Sequence, residues 1–330
     1  MAVPAGTFKT YESVGNREDL TDAIYNIAPT DTPFLQRVAR VKAKARVHEW
    51  QTDTLASAAT NAHLEGDDSS IANGETSVPT VRLQNKTQIF KKTMQVSGTQ
   101  ETVDKAGRDS EIAYQLMKRG KEIKRDIEFT LTRNQASEAG DAGSARKLGS
   151  VESWLATNFT NKSSGTASYV TAGFSSATSN TIASVTKTHL GSFSENDLKA
   201  VISACWTQGG QPDLILVGPN SKKRISTFTG IADITKEAGT TAKATRIIGG
   251  ADVYVSAFGE HRVVPSRFSR DQTVLVLDMD YWAVAQLRGM TKEKLAKTGD
   301  NEKWHLLTEL TLESRQEAAS GKIDGVDGTI

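Results

Sequence analysis

The sequence predicts an α+β protein in which a long two-stranded hairpin, one long amphipathic helix and a compact run of alternating helices and strands follow one another. Three observations carry that prediction. Residues 46–55 and 81–90 alternate in polarity on either side of a polar stretch, as the two strands of a ribbon do. Apolar residues recur at helical spacing from Ser110 to about Ala139. Between 194 and 289, helices with capping signals alternate with short, wholly apolar strand patterns.

The bulk properties bound the function. A chain of 330 residues is long enough for one large domain or two ordinary ones. Forty Lys and Arg against thirty-nine Asp and Glu leave a net charge of +1, so any contact with nucleic acid must be local. The single cysteine, Cys205, cannot form an internal disulfide or a Cys-based zinc site, and a reducing cytoplasmic site of folding is expected. The start of the chain lacks the pattern of a secretory signal, and no run approaches the roughly 18 apolar residues of a membrane span, so the expectation is a soluble intracellular product with no membrane partner. Aromatic residues make up only 6% of a chain rich in Ser, Thr, Ala and Gly. So dilute a core implies stabilisation against neighbours.

Residues 1–44 read as an arm. A short helix is expected over 16–24, and Pro29 and Pro33 form a turn into a second one, because proline fixes φ and pushes the preceding residue to extended geometry. Residues 45–96 read as an extended hairpin with Val47 and Leu55 toward one side. Its tip, from Glu65, Gly66, Asp67 and Asp68 to Gly74 and Glu75, is polar. A two-stranded ribbon is marginal alone in water, so the hairpin should lie on something else.

The helix at 110–139 would extend roughly 45 Å at about 1.5 Å per residue. Asp109 or Ser110 can cap it, Gly140 ends it, and Ile112, Leu116, Ile123, Ile127 and Leu131 make one narrow apolar stripe. Lys118 with Glu122 and Lys124 with Glu128 read as opposite-charge pairs on its outer side. Residues 141–193 read as loops with small elements, namely a short helix at 151–155 and a strand at 181–185, anchored by Trp154, Phe159, Tyr169 and Phe174. Ser194 and Asp197 then open a helix carrying Leu198, Val201, Ile202 and Trp206, spaced as a capping box with Asp in place of Glu. A buried strand at 213–218, a helix from Pro219, and strands at 253–255 and 273–277 complete the unit 194–289. A last alternating strand at 305–313 precedes a turn-rich tail from Gly321.

Chemistry-bearing motifs are missing. His48, His63, His189, His261 and His305 offer no closely spaced ligand pair, and the sequence has no phosphate loop, dinucleotide fingerprint or nucleophile elbow. Gly209-Gly210 and Gly249-Gly250 read as turns more readily than as phosphate cradles. The acids of the hairpin tip miss the spacing of a calcium loop. Cys205 beside Trp206 suits a core position. No catalytic residue, cofactor or metal is expected. The candidate site is the basic run Arg37, Arg40, Lys42, Lys44 and Arg46, which fits either nucleic-acid phosphates or the acids of a neighbouring subunit.

The order of arm, hairpin, long helix, α/β unit and returning strand resembles the major capsid proteins of tailed phages, the Hong Kong 97 fold. Residues 10–20, which open with Thr10, Tyr11, Glu12 and Ser13, and residues 27–34 around Pro29 and Pro33 are similar to the opening of the phage head-protein family related to SU-ten. Gly209-Gly210-Gln211-Pro212-Asp213 with Val217-Gly218-Pro219, and Glu309 through Arg315, resemble that family's later segments. The resemblance implies an N-terminal arm (1–44), an extended loop (45–96), a peripheral domain with a spine helix (97–193), an axial domain (194–289) and returning peripheral strands with a tail (290–330). It further implies a structural, non-enzymatic subunit of a virion capsid. Such a subunit would form hexamers and pentamers of an icosahedral or prolate shell around double-stranded DNA. The short stretch ahead of the hairpin leaves no room for a fused scaffold, so scaffolding would be separate. Portal and decoration proteins are the other implied partners, and assembly would take place in the host cytoplasm. An encapsulin-like compartment is the alternative within the same fold, and a nucleotide-binding enzyme using 194–289 is the alternative from another class.

Overall fold

The structure, a computed structural model, describes residues 31–58, 60, 62, 65–66, 79–105, 107–162, 191–228 and 252–327. The helix expected at 16–24, the strand at 181–185, Gly249-Gly250 and most of the hairpin tip lie outside those residues. In chain order the elements are α1 (Pro33–Arg37), β1 (Ala39–Lys42), β2 (Val47–Thr52), β3 (Val81–Lys86), β4 (Gln88–Ser97), α2 (Gly98–Thr102), α3 (Glu111–Thr132), α4 (Val151–Trp154) and β5 (Asn158–Asn161). They continue as α5 (Glu195–Thr207), β6 (Leu214–Val217), α6 (Pro219–Ile225), β7 (Val253–Ser256), β8 (Gly259–Pro265), β9 (Thr273–Leu277), β10 (Trp282–Leu295), β11 (Asn301–Ser314) and β12 (Gly321–Asp324).

Two sheets organise these elements. The first is four-stranded, in the order β1-β10-β11-β4, with β1 parallel to β10 and the other pairs antiparallel. Facing residues of paired strands share a side, so Arg40, Lys42, Val284, Leu312, Leu310, Leu306, Phe90 and Met94 define one face. α3 lies on that face, because Phe90, Leu306, Leu310 and Leu312 join its Ile123, Ile127 and Leu131 in one buried core. Each such side chain contributes roughly 1.5–3 kcal/mol of burial. The second sheet is six-stranded, in the order β5-β12-β9-β6-β8-β7. One of its faces sends Leu214, Leu216, Leu275 and Leu277 into the same core as α3. The other face, with Ile215, Val217, Val274 and Val276, is covered by Leu198, Val201 and Ile202 of α5.

Local chemistry sets the helix ends. Ser110 caps α3 by accepting from the Ala113 amide at 3.2 Å, while the Glu101 carboxylate accepts from the Glu111 and Ile112 amides. Glu101 is held below the usual carboxylate range, first by the Ser110 hydroxyl and then by those amides, against a partial desolvation penalty. The expected helix to Ala139 stops earlier, at Thr132. Beyond it, the Gln135 amide donates to Ser150 Oγ at 2.9 Å and its side-chain amide to the Leu148 carbonyl at 2.8 Å, which holds the segment extended. Gly140 therefore does not end the helix; at φ +67° it sits in a turn closed by the Asp141 amide donating to the Ser144 carbonyl.

Three other expectations are corrected. The second hairpin strand does not remain in the ribbon, because only Val81–Lys86 pairs with β2, and from Gln88 the chain crosses to β11. The six-stranded sheet takes β5 and β12 from outside 194–289. The tail from Gly321 opens with a strand, in which the fully buried Lys322 faces Asp324 at 3.2 Å and donates to the Glu152 carbonyl at 2.9 Å. At the start of α5 the capping box is present, with the Asp197 carboxylate accepting from the Ser194 amide at 2.9 Å.

Candidate assembly surface

The ribbon of β2 and β3 forms a separate two-stranded sheet of six facing pairs, from Val47 opposite Lys86 to Thr52 opposite Val81. Its base is fastened to the end of β11. Trp50 donates through Nε1 to the Ser314 carbonyl at 2.7 Å and its ring lies 5.4 Å from that of the buried Trp154. His48 Nε2 lies 2.9 Å from the Glu313 carboxylate. Asn85 donates to the carbonyls of Leu312 at 2.8 Å and Gly149 at 3.1 Å. Where β3 gives way to β4, Thr87 donates to Glu309, which also meets Arg146 and Arg288.

Electrostatics makes this base firm. Burial works against ionisation of Glu309, yet the hydrogen bonds from Thr87 and Arg288 and the charges of Arg146 and Arg288 hold its carboxyl below the usual range. Glu313 is held low first by the hydrogen bond from His48 and then by Arg315, against its own burial. Beyond the end of β2, Leu55 is 99% exposed. A rigid root therefore carries an apolar residue into solvent.

The arm is tied down at a second point. The Glu128 carboxylate of α3, fully buried, accepts from the Phe34 amide at 2.9 Å and the Leu35 amide at 2.8 Å, holding the start of α1. Burial pushes this carboxyl up to about 7, although the two amides and the nearby Arg37 charge favour ionisation. The expected Lys124 to Glu128 pair is replaced by this contact, and Glu122 pairs with Arg119 instead of Lys118.

The basic run follows the fold edge. Arg37 ends α1 and donates to the Pro33 carbonyl at 3.0 Å. Arg40 and Lys42 lie on β1, an edge strand, with side chains on the α3 face. Lys44 and Arg46 lie in the link to β2, where the Arg46 carbonyl accepts from the Thr87 amide at 3.0 Å. All five are exposed, and none forms an ion pair with another described residue.

The positions that might have held chemistry are occupied structurally. The Gly209 and Gly210 amides donate to the Trp206 and Cys205 carbonyls, both at 2.9 Å, and Gly209 takes φ +90°, so this pair closes the C-terminus of α5. Cys205 is buried, and burial pushes its thiol up to about 12. His261 is buried between Ser256 and the Pro212 carbonyl. Among the described residues, no cluster of three or more His, Cys, Asp or Glu is placed to hold a metal, and no helix is long and apolar enough to cross a membrane. The sequence reading missed His48, Trp50, Glu313 and Glu128 as fastening points; only the amphipathic tips of Trp50 and His48 in an alternating strand hinted at partners.

An isolated ribbon rooted on one sheet, a long helix on that sheet and a second sheet sharing its core define the class: this is the Hong Kong 97-type capsid fold. Solved structures agree over nearly the whole chain. The cyanophage A-1(L) capsid asymmetric unit matches with a TM-score of 0.63 at 13% identity, covering 96% of this chain and 98% of that one. A solved chain of Mycobacterium phage Bobi matches at 0.58 and 11% identity, covering 95% and 96%. The SrpI encapsulin of Synechococcus elongatus PCC 7942 also shares the fold, at 0.53 and 12% identity over 96% of this chain and 94% of that one. In sequence, the major capsid protein of Escherichia phage Phieco32 is 28% identical over 351 residues, 98% of each chain. The SU10 major capsid protein family matches residues 4–327, and the chain belongs to that family. It is a phage major capsid protein, a structural component of the virion capsid.

Proposed function

We propose that this chain closes a shell of hexamers and pentamers around double-stranded DNA, with no catalytic role. The observation that carries the reading is the ribbon. His48, Asn85, Trp50 and Leu83 hold the ribbon on this chain's own core as far as its fourth pair, while the last pairs, to Thr52 opposite Val81, and the exposed Leu55 beyond them are left for a second copy to cover. The division into a peripheral unit around the four-stranded sheet and an axial unit around the six-stranded sheet belongs to the same proposal, as do separate scaffolding, portal and decoration proteins and assembly in the host cytoplasm. The enzyme alternative gains no support, since the Gly209 and Gly210 amides are already used.

Deletion of residues 60–75 tests this. The shortened chain is expected to stay folded and soluble, because the described contacts of the root lie outside the deletion, but to assemble into closed particles at least tenfold less efficiently by sedimentation. Assembly at the wild-type level would contradict the role given to the ribbon.

A further inference from the structure

The turn between β7 and β8 sets a serine hydroxyl on a buried imidazole. Ser256 faces Gly259 as the last pair of the two strands, leaving Ala257 and Phe258 as the loop, and Gly259 closes it at φ +137°. Ser256 Oγ lies 2.7 Å from His261 Nε2, and His261 Nδ1 lies 2.5 Å from the Pro212 carbonyl oxygen. A carbonyl only accepts, so the Pro212 contact keeps the ring proton on Nδ1 and leaves Nε2 to accept from the Ser256 hydroxyl. The Gly259 carbonyl is a second acceptor for that hydroxyl, but at 3.2 Å it is the weaker one. The Phe258 amide donates to Oγ at 3.1 Å, which favours negative charge on that oxygen.

The imidazole is held in one orientation. His261 is 2% exposed, and its ring stacks on that of the buried Tyr254 with centroids 6.3 Å apart. The Tyr254 hydroxyl in turn donates to Glu195 at 3.3 Å. A serine that only closes a turn needs the Phe258 amide and no imidazole. Here a hydroxyl, a base and an acceptor that orients the base stand in line, the arrangement that makes a serine nucleophilic. Ser256 is half-buried at the end of an edge strand, with Ala257, Phe258 and Gly259 exposed around it. Phe258 and Trp206, 41% and 54% exposed with ring centroids 5.2 Å apart, make an apolar platform at the same turn.

We propose that Ser256 is an activated nucleophile that accepts an acyl group from an activated ester, with His261 as its general base and the platform of Trp206 and Phe258 receiving an apolar acyl chain. Ser256 Oγ bonds to the ester carbonyl carbon as His261 Nε2 takes the hydroxyl proton. The bond from that carbon to the leaving oxygen then breaks, and His261 returns the proton to the departing alcohol, so atoms and charge balance. The Phe258 amide is spent on Oγ and does not serve the oxyanion, so one acylation of the subunit is expected and not rapid turnover. Ser256 is thus a modification site, independent of the part the chain plays in a shell.

The test treats the full chain with p-nitrophenyl butyrate and follows each serine by peptide mapping in a mass spectrometer. Ser256 is expected to gain a butyryl group at least about 100-fold faster than the exposed Ser57 and Ser97 of the same molecules, the lower end of what a positioned base contributes. Ser256→Ala should remove this adduct and leave labelling elsewhere unchanged. His261→Gln, with its melting temperature measured alongside, should slow acylation of Ser256 at least about 100-fold. Trp206→Ala should lower the preference for butyryl over acetyl ester at least about threefold, because less apolar surface meets the longer chain. Labelling of Ser256 no faster than that of Ser57 and Ser97, or as fast as wild type in a folded His261→Gln chain, would overturn the proposal. The comparison among serines of the wild-type chain decides it even where His261→Gln fails to fold. A chain-length preference unchanged in Trp206→Ala would overturn the role given to the platform.

Discussion

Glu128 illustrates how one side chain can join two distant segments. Its carboxylate replaces solvent for two backbone amides more than ninety positions away, and its burial raises its proton affinity to about 7 from an ordinary value of 4.5. The folded state therefore binds this proton more tightly than the unfolded chain. The site's contribution to stability is complete below the ordinary value and is lost as pH rises through about 7. Thermal melting at pH 5 and pH 8 should differ more in wild type than in Glu128→Gln; parallel shifts in the two proteins would refute this. Glu128→Ala strands two amides and should cost about 2–4 kcal/mol by urea unfolding. A backbone approach sets a second residue: a Cβ on Gly210 would come within 2.4 Å of the Ala319 carbonyl oxygen. Gly210→Ala should destabilise by about 1–3 kcal/mol. Neither role was legible in the sequence, where Glu128 read as half of a helix-surface pair and Gly210 as a generic turn. Cys205 was legible, because a thiol inside an apolar helix pattern has little alternative to the core.

At the level of elements, the pattern of apolar residues located most strands and helices, and the departures have identifiable causes. The helix α3 ends early because the backbone and side chain of Gln135 find partners at Leu148 and Ser150, a contact between segments that no local pattern announces. β12 escaped notice because it carries Lys322 and Asp324, charges that look like surface until their burial as a pair is seen. The ribbon was legible from its alternation, yet its root was not, since Trp50, His48 and Asn85 meet residues more than sixty positions away along the chain. Trp50→Ala removes the Ser314 hydrogen bond and the contact with Trp154, and a loss of about 3 kcal/mol is expected. It should also speed protease cleavage within 53–80; unchanged cleavage would mean that Trp50 does not hold the root.

For the whole molecule, the basic run is legible as residues but not as a surface, because only the register of β1 on β10 places Arg40 and Lys42 on the helix side. The shared core of the two sheets makes the body rigid, while beyond the ribbon Leu55 stands 99% exposed. Among the described residues, the order of ribbon, long helix, α/β unit and returning strand was visible from the sequence. The most direct test is an electron cryo-microscopy reconstruction of the particles the chain forms on expression, alone or with its scaffold. The expected result is a closed shell of pentamers and hexamers, with each ribbon lying on a neighbouring copy. A chain that stays a monodisperse monomer under all assembly conditions, or a shell in which the ribbons touch no neighbour, would contradict it.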